Sequence, residues 1–146
     1  MKKIIYVVTF FYVCQIFAQN TYLNQVLLLN EGCYDYDQEV ILEPVTVGVY
    51  HPNQNIYNSV IEIDGARFAS DLIVHENYFY VAADNQLLKY DLNTYELIAS
   101  QNVPGVRKMA IFENYLFITK GDYDNETFSP VIFDSYLDVF DLELNY

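Results

Sequence analysis

Residues 73–101 read IVHENYFYVAADNQLLKYDLNTYELIASQ. Tyr78-Phe79-Tyr80-Val81 is dense in aromatic and β-branched residues, the types that suit a pleated, half-buried surface. On its N-terminal side Val74 leads into Glu76-Asn77, a turn in which asparagine tolerates left-handed backbone. Asp84-Asn85 marks the next turn, Leu87 to Leu92 a strand, Asn93-Thr94 a third turn, and Tyr95 to Ser100 a last strand. With the apolar run before Glu76, the spacing predicts a four-stranded antiparallel meander in about forty residues, the size of one β-propeller blade.

The unit recurs. Phe112 to Ile118, FENYLFI, echoes His75 to Val81, HENYFYV, with Asn114 placed 37 residues after Asn77. Gly105 follows Gly65 by 40 residues, each closing a last strand, and Tyr90 follows Tyr50 by 40. Phe140, in Val-Phe-Asp-Leu, falls into the same series. These offsets predict an all-β, partial β-propeller of about two and a half blades. The blades cover residues 25–65, 66–105 and 106–146. In the first, Val26 to Leu29, Val45 to Tyr50 and Tyr57 to Ile63 are the second, third and fourth strands, and the first strand is missing or irregular. The third blade reaches Tyr146 on its third strand. An ordinary antiparallel sandwich would share the short, regularly spaced strands, but not the Glu-Asn-Tyr echo. No stretch shows helical periodicity, and no Pro/Gly/Ser-rich linker marks a boundary.

Ahead of the repeats lies an export signal. Lys2 and Lys3 precede an apolar run from Ile4 to Phe17, and Ala18 offers a small residue before Gln19, so residues 1–18 are expected to be a cleaved signal peptide and 19–146 the mature domain. The run is too short for an ordinary membrane span; a buried strand or an uncleaved anchor are the alternatives. Branched Val13 before Cys14 argues against lipid attachment. The product would be periplasmic, on the cell surface or extracellular. It would keep one cysteine, Cys33, so no internal disulfide framework is expected, and no Cys-His motif makes Cys33 a nucleophile.

The net charge of −13, which becomes −15 without Lys2 and Lys3, excludes a phosphate-backbone reader and an anionic-lipid binder, both of which need Lys and Arg clusters. An apolar content of 53 % excludes a disordered chain.

The starting segment Asn30-Glu31-Gly32, the Tyr-x-Pro strand end and the repeated turn–Tyr-x-Tyr-Val and Lys-Tyr-Asp-Leu-Asn-Thr units resemble the secreted, seven-bladed YVTN-type or surface-layer-like propellers of bacteria. Some of these are type IX secretion cargo. The resemblance covers residues 25–146 and implies an N-terminal fragment of a larger propeller.

Catalytic signatures are missing from the sequence: it has no Gly-x-Ser-x-Gly, His-Glu-x-x-His or Cys-x-x-Cys and no glycine-rich phosphate loop. His51 and His75 read as strand-end residues. The expected function is therefore a non-catalytic binding or interaction module. The alternative is the N-terminal part of a propeller enzyme whose catalytic residues lie on further blades.

Two acidic-aromatic segments share Gly-x-Tyr-Asp, 89 residues apart: Gly32 to Glu39 and Gly121 to Glu126. Their alternate carboxylates, Asp35, Asp37 and Glu39 or Asp122, Asp124 and Glu126, are oxygen ligands of the kind Ca²⁺ takes, but they lack the glycine and distal glutamate of an EF-hand, and solvated turns explain them more simply. No other cofactor is expected. Asn125-Glu126-Thr127 is a glycosylation sequon without meaning in a bacterial protein.

Both segments fall in long connections between second and third strands. Ile118 to Phe140 spans 22 residues and Leu29 to Tyr50 spans 21, against 9 from Val81 to Tyr90. Because strands alternate in direction, these connections lie on the same face as the links between blades, which carry Arg67, Arg107 and Lys108. The candidate ligand residues are Tyr34, Asp35, Tyr36, Asp37, Arg67, Arg107, Asp122, Tyr123 and Asp124. A glycan or peptide is the expected partner, since tyrosines supply flat apolar area with a polar tip and arginine pairs with carboxylates. The bland alternative is that the arginines only neutralise the loop aspartates. Self-association through open blade edges is also expected.

Overall fold

The computed structural model describes residues 23–146, so the expected leader lies outside it. It contains twelve strands and no helix among the described residues; none is therefore a helix able to cross a membrane. The strands are β1 (Val26–Asn30), β2 (Cys33–Asp35), β3 (Val40–Glu43), β4 (Val45–His51), β5 (Ile56–Ile63) and β6 (Ala69–His75). After these come β7 (Tyr78–Ala83), β8 (Gln86–Asp91), β9 (Leu97–Asn102), β10 (Val106–Phe112), β11 (Tyr115–Lys120) and β12 (Leu137–Asp141). They form antiparallel sheets ordered β1-β4-β5, β6-β7-β8-β9 and β10-β11-β12, with β2-β3 as a separate hairpin. The fold is all-β and consistent with partial propeller blades.

The four-stranded sheet lies between the other two, and its central strands β7 and β8 are buried on both faces. Period-two alternation explains how. Along β7, Phe79, Val81 and Ala83 pack with Val45, Val47 and Ile63 of the first sheet, while Tyr80 and Ala82 pack with Val106, Leu116 and Ile118 of the third. Along β8, Leu88 and Tyr90 face the first core and Leu87 the second. Phe79 stacks on Tyr90 at 5.2 Å between ring centroids, and burial of one such ring contributes about 1.5–3 kcal/mol. Lys89, on the third-sheet side, is 1 % exposed; its ammonium donates to Glu143 at 2.8 Å and lies 4.1 Å from the centroid of the Tyr78 ring. Beside it the Tyr80 hydroxyl donates to the Leu142 carbonyl, and burial pushes its pKa up to about 12.

Polar clamps complete the junctions. The Glu31 carbonyl accepts from the Ala69 amide at 3.0 Å, Asp71 accepts from the Met109 amide at 2.8 Å, and Ser70 Oγ donates to the Arg107 carbonyl at 2.8 Å.

Three details depart from the sequence reading. The left-handed backbone of the repeated turn falls on Glu76 and Glu113, each at φ 53°, one residue before the asparagines. The last strand of the central sheet is Leu97–Asn102 and not Tyr95 to Ser100. Asp91 accepts from the amides of Asn93 and Thr94, and Tyr95 turns left-handed at φ 61°, so the turn consumes two more residues. The long connection between β1 and β4 is no simple loop: Cys33–Asp35 and Val40–Glu43 pair as a hairpin, with Asp35 capping the turn through the amides of Asp37 and Gln38.

Candidate functional site

Each link between sheets ends in a Gly-x-Arg step, and the two arginines meet. Arg67 follows β5 and Arg107 lies at the start of β10, so both guanidiniums leave the same end of the stack. Phe68 stands between them, with the Arg107 guanidinium 4.6 Å and the Arg67 guanidinium 5.6 Å from its ring centroid, close enough for cation–π attraction.

Two carboxylates, from two segments, close on this pair. Arg67 donates through Nε to Asp84 Oδ2 at 2.8 Å and through Nη2 to Oδ1 at 2.7 Å, a two-pronged pair with a mostly buried carboxylate. The Asp84 hydrogen bond holds the Arg67 guanidinium protonated well above its ordinary range, against the opposing effect of burial. Asp122 Oδ1 accepts from Arg107 Nη2 at 3.0 Å and from the Tyr123 amide at 2.9 Å, while Asp122 Oδ2 lies 3.7 Å from Arg67 Nη2. Asn125 Oδ1 completes the set at 3.5 Å from Arg67 Nη1. The 121–136 connection is pinned to the link beside it by the Gly121 amide, which donates to the Gly105 carbonyl at 2.8 Å.

Above this floor opens a cavity of about 650 Å³, within the usual range of about 300–1,000 Å³ for small-molecule sites. Arg67, Arg107, Phe68 and Ser70 line its base, Glu31 and Tyr36 one wall, and Asp122 to Asn125 with Phe128 the other. Tyr36, Tyr123 and Phe128 are 56 %, 64 % and 79 % exposed, so each offers aromatic surface to a ligand.

Of the residues singled out from sequence, the structure thus brings together Tyr36, Arg67, Arg107, Asp122, Tyr123 and Asp124. Tyr34, Asp35 and Asp37 do not line the cavity. Tyr34 packs edge-on against Tyr36 at 5.0 Å, and Asp35 caps its own turn. Asp124 likewise turns Oδ1 toward the amides of Glu126 and Thr127, which pull its carboxyl below the usual range. Among the described residues no three His, Cys, Asp or Glu side chains converge as a metal site. Lys108 points elsewhere, donating to the Ser70 carbonyl at 2.7 Å. Cys33 is exposed and free.

Sequence reasoning missed Phe68, Phe128, Glu31 and Asp84. Phe68 directly follows an arginine already singled out, which was signal enough. Asp84 read only as a turn residue, and nothing in its neighbourhood names a partner 17 residues away.

Residues 66–89 match the LVIVD repeat. This is a β-propeller-type repeat, and the matched segment runs from the Arg67 link through β6 and β7 into β8. The LVIVD-like segment therefore supplies Arg67, Phe68, Ser70 and the Asp84 that fixes Arg67. No curated protein matches the chain.

Proposed function

We propose that the protein is an exported, non-catalytic β-propeller module that binds a glycan or peptide in the cavity over Arg67, Phe68 and Arg107. The observation that carries this reading is the convergence of the β1–β4 connection, the Arg67 link and the β11–β12 connection on one open, aromatic-walled cavity with an ion-paired floor. Aromatic side chains supply contact area at low entropic cost, and a floor already held by ion pairs loses little freedom on binding. Export rests on the basic, apolar and small-residue order of residues 1–18. The finer resemblance to YVTN-type, surface-layer-like propellers rests on the Glu-Asn-Tyr and Lys-Tyr-Asp-Leu-Asn echoes, and it would place the protein in the periplasm, at the cell surface or outside the cell.

The test is a screen of immobilised glycans and peptides against the protein and its Tyr36→Ala, Tyr123→Ala variant. Both side chains are more than half exposed, so the variant is expected to keep its melting temperature and lose its binding. A ligand retained unchanged by the variant would place binding elsewhere.

A further inference from the structure

We infer that the cavity selects an uncharged carbohydrate segment over any ionised ligand; this rests on the binding reading above. The fixed charges carry the inference. Arg67 is held in two-pronged fashion by Asp84, and Arg107 donates to Asp122 and to the Val106 carbonyl. A ligand carboxylate or sulfate would meet guanidiniums already neutralised by these pairs, in a lining that also carries Glu31, Asp122 and Asp124. A ligand ammonium would meet two guanidiniums, and the face of Phe68 is already used by both. Either sign of charge therefore meets a like charge in the cavity lining.

A hydroxyl meets no such conflict. It both donates and accepts, so it can take a remaining N–H of a paired arginine or a remaining lone pair of Asp122 without breaking a pair. The walls suit the rest of a sugar. Tyr36, Tyr123 and Phe128 present exposed aromatic surface against which the C–H face of a pyranose can lie. The volume of about 650 Å³ and the open rim fit a short segment of a chain whose ends leave the cavity.

Calorimetric titration of the full chain tests this with three sets of tetrameric probes. The neutral set is cellotetraose, xylotetraose, mannotetraose and chitotetraose. The anionic set is tetragalacturonate and a heparin tetrasaccharide, and the peptide set is tetralysine and tetraglutamate. At least one neutral saccharide is expected to bind with an affinity that changes less than about twofold as salt rises from about 0.05 to about 0.5 M. Tyr123→Ala and Phe128→Ala should each weaken it about tenfold or more, whereas Tyr115→Ala, on a different exposed surface, should not. Tightest binding by an anionic saccharide, lost as salt rises, would overturn the neutral selection while leaving a glycan site. Binding by a peptide alone would overturn the carbohydrate assignment and keep the binding module. Binding by none of the probes would overturn both.

Discussion

At the scale of single residues, the turns are held by carboxylates that act as backbone surrogates. Asp91 accepts from the amides of Thr94 and Asn93, Asp124 from Thr127 and Glu126, and Asp141 from the side chain and backbone of Asn145. These hydrogen bonds favour the ionised form, so all three carboxyls titrate below the ordinary value. A group with a lowered folded pKa contributes stability above its unfolded pKa, and the contribution vanishes as pH falls through the folded value. An Asp91→Asn, Asp124→Asn, Asp141→Asn variant should therefore melt below the parent protein at pH 7. The gap should narrow once pH drops below about 4, the ordinary aspartate range. Melting curves across that range check it; a gap independent of pH would show that charge on these carboxylates plays no part.

At the scale of elements, the links between sheets depend on left-handed glycines. Gly65 and Gly105 sit at φ 71° and 73° in equivalent links. Their surroundings differ. A Cβ on Gly65 would meet nothing within 4 Å, whereas one on Gly105 would come 2.5 Å from the Phe133 ring. Gly65→Ala should cost about 1–2 kcal/mol from backbone strain alone. Gly105→Ala should cost about 1–3 kcal/mol more, because Phe133 and the 121–136 connection must move off the link. Urea unfolding of the two variants separates strain from packing. Equal losses would mean that Phe133 yields freely and does not anchor that connection.

At the scale of the molecule, the outer faces are unlike the inner ones in what covers them. β11 turns Leu116 and Ile118 inward and Tyr115 and Phe117 outward, and β12 adds Leu137 and Val139 to the same outer face. Tyr115, Leu137 and Val139 are 51 %, 53 % and 39 % exposed, a contiguous apolar patch of the kind that marks an interaction surface. At the opposite end of the stack, edge strand β5 exposes Ile56 and Tyr57. The protein is expected to self-associate through such surfaces, more strongly as salt screens its charge of −13. A Leu137→Lys, Val139→Lys variant should associate less. Sedimentation velocity over a concentration series provides the measurement, and a compact monomer at every concentration and salt level would contradict it.

Strand positions and the repeat were legible in the sequence because both are local. Alternation with period two and a turn every few residues are written in neighbouring side chains, and Glu-Asn-Tyr recurs after 37 residues because the same turn recurs. The meeting of the long connections with Arg67 and Arg107 was legible too, since strand direction assigns every second connection to one face. The partners were not. Asp84 and Asp122 share Arg67 although they lie 17 and 55 residues from it, and Phe68 is gripped by arginines of two successive links. Lys89 sits among apolar neighbours that no sequence window assigns to a lysine, and its counter-charge is Glu143, 54 residues on. Only the stacking of sheets brings these groups within hydrogen-bond range. Once desolvated there, each charge must find an opposite charge or a polar partner in whichever blade lies against it, and adjacency between blades is a property of the packed sheets and of no segment alone.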